Sequence, residues 1–146
     1  MNKKNWNKID KKITEWMKKL GVPFLRYSLA TIFIWFGILK PFGISPAQEL
    51  VANTVYWFDP SWFVPLLGWW EVLIGICFLY KPLIRVGIPL LLLQMAGTFL
   101  PLLILPSIIY GDVPYALTLE GQYIIKNFII IASAIVVGSH VRDKKR

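Results

Sequence analysis

Four apolar stretches, at about residues 22–40, 62–80, 83–105 and 121–139, dominate this chain of 146 residues. Each runs for about 19 to 23 residues, enough to cross a hydrocarbon core of about 30 Å at about 1.5 Å per residue. A chain this short cannot hide four such stretches from water inside one small core, since 56% of it is hydrophobic and only 16% charged. Lipid is therefore the expected solvent. The expected fold is all-α, an integral membrane bundle of four spanning helices.

The cations are distributed as membrane topology requires. Seven Lys precede the first stretch, none lies in residues 41–61, Lys81 and Arg85 fill the second connection, none lies in 106–120, and Arg142, Lys144, Lys145 and Arg146 end the chain. By the bias of cytoplasmic segments toward Lys and Arg, both termini and the Lys81–Arg85 turn are expected inside, with the two longer loops outside. The acidic Glu49, Asp59, Asp112 and Glu120 fall in or beside those outer loops. The expected location is the inner, cytoplasmic membrane. The net charge of +8 is thus read as orientation, and no nucleic-acid partner is expected.

Residues 1–20 form a separate segment. Trp6, Ile9, Ile13, Trp16, Met17 and Leu20 recur at helical spacing among lysines that include Lys11 and Lys12. This pattern predicts an amphipathic helix lying in the membrane surface, with Trp16 at headgroup level and the lysines on anionic lipid. An ordinary basic tail is the plainer alternative. Residues 141–146 are read as a basic cytoplasmic tail. In the first outer loop, Ser45-Pro46-Ala47-Gln48 has the pattern of an N-cap serine followed by proline, which predicts a short lid helix over about residues 46–57. Pro60 and Pro65 mark re-entry into the second span, and Pro101 a kink near the outer end of the third.

Ionisable residues inside a span cost about 2.5 to 3.5 kcal/mol each on insertion scales, so each needs a partner, a wet cavity or a route to the interface. Arg26 is close enough to the cytoplasmic edge to reach lipid phosphates. Yet Arg26, Ala30, Phe33, Gly37 and Lys40 share one stripe of the first helix, whose small residues suit a helix crossing. Lys40 precedes Pro41 and ends that helix at the outer boundary. Glu71, near the middle of the second span, lies on one face with Gly68 and Gly75. Gln94 aligns with Thr98 on the third span, and Lys126 and Asn127 follow Tyr123 on the fourth.

The expectation is that Glu71, Gln94, Lys126 and Asn127 converge in the outer half of the bundle, with Lys40, Glu120 and Tyr123 at its mouth and Trp70 beside Glu71. Three readings stay open: a buried network that fixes helix register, a polar pocket for a quinone, a sulfur-containing small molecule or a lipid headgroup with Glu71 as candidate proton carrier, and a transport path. One cysteine, Cys77, and one histidine, His140, leave no dithiol, haem pair or metal triad to expect.

Taken in order, the pieces Arg26 with Phe33-x-x-x-Gly37-x-x-Lys40, Gly68-x-x-Glu71-x-x-x-Gly75, the run Gln94–Phe99, and Glu120–Tyr123 followed by Lys126-Asn127 resemble the DoxX-like family of small four-helix membrane proteins. The resemblance spans residues 25–140. It implies a four-helix bundle with a short helix after the first span, and a role beside membrane quinone or thiol redox systems or, in distant relatives, in receptor assembly. With no redox cysteine pair and no flavin or haem motif, the expected role is an accessory subunit holding a quinone or lipid without a covalent cofactor, beside a partner protein or a second copy. The alternatives are a scaffold or assembly factor with a purely structural Glu/Lys network, and a small-molecule transporter.

Overall fold

The structure, a computed structural model, describes residues 3–111 and 115–142, with Lys3–Asn5 described by backbone alone. Asp112 and the tail from Asp143 to Arg146 lie outside the described residues. Every regular element among those described is helical: α1 (Lys3–Leu39), α2 (Gln48–Thr54), α3 (Pro60–Leu79), α4 (Ile84–Phe99), α5 (Pro101–Ile104), α6 (Pro106–Ile109) and α7 (Leu119–Ser139). Four stretches are long and apolar enough to cross a membrane, Trp6–Leu39, Pro60–Leu79, Lys81–Ile104 and Leu119–Ser139. The chain is a multi-pass membrane protein, and its spans fall within two residues of the expected ones except at the N-terminal boundary.

That boundary is not a break. Gly21 and Pro23 sit inside one continuous 37-residue helix. Pro23 cannot donate to the carbonyl four residues back, but a single missing bond does not stop a helix whose flanks both favour the state. At 1.5 Å per residue α1 is about 55 Å long, roughly 25 Å more than the hydrocarbon needs. Its lysine-rich half therefore continues past the bundle, with Lys11, Lys12 and Trp16 all exposed.

The four long helices form a ring in which α1 packs on α3 and α7, and α4 packs on α3 and α7. Its core holds Leu29, Ala30 and Phe33 of α1, Ile74 and Phe78 of α3, Leu91 and Met95 of α4, and Ala134 and Val137 of α7. The tightest crossing is α1 on α3. A Cβ placed on Gly37 would lie 2.7 Å from the Gly68 carbonyl oxygen, and one on Gly68 would lie 2.6 Å from that of Gly37. The stripe Ala30, Phe33, Gly37, Lys40 faces inward as its small residues require.

The opposite end from the termini, the lid end, is built from loops. Gly43, with φ of 69°, turns the chain after α1 and donates to the Lys40 carbonyl at 3.0 Å. Helix α2 is shorter than expected, and Ser45 does not cap it through its hydroxyl. Ala47 occupies the cap position, because Pro46 and Ala47 are used in a turn closed by the Gln48 N–H donating to the Ser45 carbonyl at 3.1 Å. The next cap does use a side chain: Asp59 accepts from the Ser61 N–H at 2.9 Å, with Pro60 in the first turn of α3. Around it the exposed Tyr56, Trp57, Phe58 and Trp62 and the half-buried Phe63 pack edge to face or stacked, an aromatic belt of the kind found at membrane interfaces.

Pro101 divides the third span into α4 and α5. Beyond α6, Tyr110 and Leu117 pair in an antiparallel bridge. Thr118 fastens it to α7: its hydroxyl donates to the Ile108 carbonyl at 2.7 Å and accepts from the Gly121 N–H at 3.2 Å as the helix cap.

Candidate functional site

Helix α1 stops short of the lid end, and this determines the site. The Lys40 Cβ is 2.8 Å from where a Gly68 Cβ would be. Lys40 is therefore level with Gly68, about 12 Å along α3 from Pro60 at 1.5 Å per residue. The ammonium that the sequence places at the mouth sits instead on the floor, 6% exposed. There its Nζ donates to Glu71 Oε2 at 2.5 Å, and Gln94 Nε2 donates to Glu71 Oε1 at 2.9 Å. One carboxylate thus joins α1, α3 and α4. Thr98, one turn beyond Gln94, donates its hydroxyl to the Gln94 carbonyl at 3.0 Å.

Above this floor is a cavity of about 360 Å³. Lys40, Glu71, Gln94, Thr54 and Thr98 supply its polar lining. Leu50, Val51 and Val55 come from the lid, Phe63, Leu67 and Trp70 from α3, and Pro101 and Ile124 from the far side. Apolar walls above a few convergent polar groups are the usual make-up of a small-molecule pocket. The lid is seated: Thr54 is buried, its hydroxyl donates to the Leu50 carbonyl at 2.6 Å, and α2 touches both α3 and α5.

The structure brings together Lys40, Glu71, Gln94 and Trp70 but not the expected residues of α7. Lys126 is exposed on the outside of the bundle, its Nζ 5.1 Å from the centroid of the Tyr123 ring, and Tyr123 is exposed too. Glu120 is exposed in the first turn of α7, and Asn127 is half-buried without lining the cavity. The cause is the rotation of α7. A Cβ on Gly121 would meet the Ile109 carbonyl oxygen at 2.5 Å, so the helix must turn that glycine toward α6. Ile124 then faces the cavity and Lys126, two residues on, faces out. Lys40 takes the partner's place expected of Lys126.

Two lining residues lie outside the expected site set, Thr54 of the lid and Ile124 of the wall. Thr54 carried a signal, a hydroxyl on the inner face of a short amphipathic helix; Ile124 carried none. Arg26 is half-buried near the terminal end, with its guanidinium 4.5 Å from the Tyr27 ring centroid and its buried Nε unpaired among the described residues. No group of three or more His, Cys, Asp or Glu comes together among the described residues. Compared with protein-family profiles, curated proteins and solved structures, the chain matches none.

Proposed function

We propose that this protein is an integral membrane binding subunit that holds a small quinone-like or sulfur-linked molecule above the Lys40–Glu71–Gln94 floor, as an accessory to a membrane redox system. The single observation that carries this reading is the pairing of an apolar cavity with a charge-compensated polar floor under a seated lid. A network serving only helix register needs no empty space beside it. In this reading Glu71 is the group able to exchange a proton with a bound head, and Lys40 and Gln94 orient that head. The DoxX-like resemblance supports the redox setting, and the cation distribution supports a cytoplasmic-membrane location with the lid facing out. The protein purified in mild detergent and extracted for mass spectrometry should yield a polar-headed apolar molecule at about one per chain. A preparation that is folded and yields only bulk lipid would end the reading.

A second reading, an assembly factor or scaffold, is favoured by a different observation. Along the N-terminal half of α1, Trp6, Ile9, Ile13, Trp16 and Leu20 are all exposed and form one apolar stripe beside seven lysines. Carried past the bundle on a helix continuous with the first span, such a face suits a partner helix beside an anionic membrane surface. Under this reading, deleting residues 1–19 abolishes function while changes on the cavity floor are harmless.

A further inference from the structure

The lid covers the cavity, with Ala47 the exposed lid member of its lining, and the other strongly exposed lining lies on the spanning helices. On the lid side Thr54 and Pro101 are buried, and α2 bridges α3 and α5. The strongly exposed members of the lining on the spanning helices are Leu66 of α3, at 54%, and Leu93 of α4, at 63%, with the exposed Gly97 one turn beyond Leu93. Leu66 lies about 9 Å below the start of α3, and Gly97 about 10 Å below the end of α5, at 1.5 Å per residue. Both depths are within the hydrocarbon of a 30 Å core. At Gly97 the wall is missing altogether, since a Cβ there would meet nothing within 4 Å. Gly37, Gly68 and Gly121, by contrast, are contact points between elements.

We infer that the cavity is loaded sideways from the bilayer, through a portal between α3 and α4 at Gly97, and that its ligand is an uncharged amphiphile. The polar head reaches the floor while the apolar tail stays among the acyl chains. This rests on the proposed binding reading and narrows its ligand class, excluding tail-less water-soluble sulfur compounds. Lys40 and Glu71 cancel, so the floor offers no net charge to an ionic head. The hydrogen-bonding inventory specifies the head further. The Lys40 ammonium has three N–H donors and shows one bond, to Glu71, while Gln94 Oε1 accepts none from the described residues. A ring carbonyl can accept from the Lys40 ammonium, and a ring hydroxyl can in addition donate to Gln94 Oε1. Trp70 and Phe63 in the lining suit a flat head, and a volume of about 360 Å³ suits one ring and the root of one chain.

The test uses the full chain in phosphatidylcholine nanodiscs, with decylubiquinone as probe and the same quinone ring without its tail as comparison, each measured against empty nanodiscs. Wild type should bind decylubiquinone saturably and the tail-less ring at least tenfold more weakly. Gly97→Phe should lower decylubiquinone affinity at least tenfold with unchanged thermal melting; Gly97→Leu serves if the larger side chain impairs folding. If wild type binds decylubiquinone and both variants match it, the lateral portal is overturned and the pocket stands. If the tail-less ring binds as tightly as decylubiquinone, the tail-in-bilayer mode is overturned. If wild type shows no saturable binding of either, the pocket reading fails and the portal with it.

Discussion

Gly37 and Gly68 face each other across the α1–α3 crossing so closely that neither tolerates a Cβ without a shift of backbone. The contact does more than pack two helices. Lys40 is one turn beyond Gly37 and Glu71 is three residues beyond Gly68, so the crossing is what brings ammonium to carboxylate. Replacing either glycine by alanine inserts a methyl against a carbonyl oxygen, and overpacking of this kind costs about 1 to 3 kcal/mol. Gly37→Ala and Gly68→Ala should each lower the thermal midpoint in detergent, whereas Gly97→Ala, with open space around it, should not. Equal midpoints for all three would mean that the crossing is looser than described.

The ion pair itself predicts strong non-additivity. Removing one member of a buried pair strands the other, at about 3 to 5 kcal/mol. Lys40→Met leaves the Glu71 carboxylate with Gln94 alone, and Glu71→Gln leaves the Lys40 ammonium without its counter-charge. The double variant Lys40→Met/Glu71→Gln strands no charge and should be more stable than either single variant. A double-mutant cycle read by unfolding in mixed micelles measures this, and simple additivity would remove the pair from the account.

Much of this was legible in the sequence, and the parts that were not have identifiable causes. Span positions follow from the length of apolar runs, and the inward stripe of α1 follows from Ala30 and Gly37 at helical spacing. Glu71 and Gln94 meet as expected, because polar side chains this far inside a span are too costly to leave against lipid. Which lysine meets Glu71 is not legible, because the position of a residue in its own apolar run does not give its depth in the bundle. Lys40 is last in its run, yet α1 ends below the lid end, so the last residue of the helix is deep in the bundle. The rotation of α7 is hidden too, because it is set by a contact between two helices, Gly121 of α7 against Ile109 of α6.

Outward placement of Lys126 makes a sharp contrast between neighbours. Lys126→Leu should leave both folding and ligand retention unchanged, since the side chain touches the Tyr123 ring and not the cavity. Ile124→Trp, two residues earlier, should fill the cavity and abolish retention. Mass spectrometry of the purified variants decides between them, and loss of ligand from Lys126→Leu with retention in Ile124→Trp would reverse the assigned face of α7.

The start of α3 carries a pH dependence. Hydrogen bonds from the Ser61 backbone N–H and then its hydroxyl hold the Asp59 carboxyl below its ordinary range. A depressed carboxyl stabilises the fold at pH above its unfolded value, about 3.9, and that contribution is lost as pH falls through the lower folded value. Asp59 is fully exposed, so solvent screening keeps the effect small. Between pH 5 and pH 3 wild type should lose slightly more stability than Asp59→Asn, which keeps a cap acceptor without the charge. Identical melting shifts for the two proteins would mean that the Asp59 charge adds nothing to the cap.

The most direct measurement is native mass spectrometry of wild type beside the Lys40→Met/Glu71→Gln double variant, both released from detergent under the same conditions. The account predicts one uncharged, tail-bearing molecule bound per wild-type chain and none on the equally folded double variant. The same occupancy on both proteins, or a folded wild type with nothing bound, would contradict it.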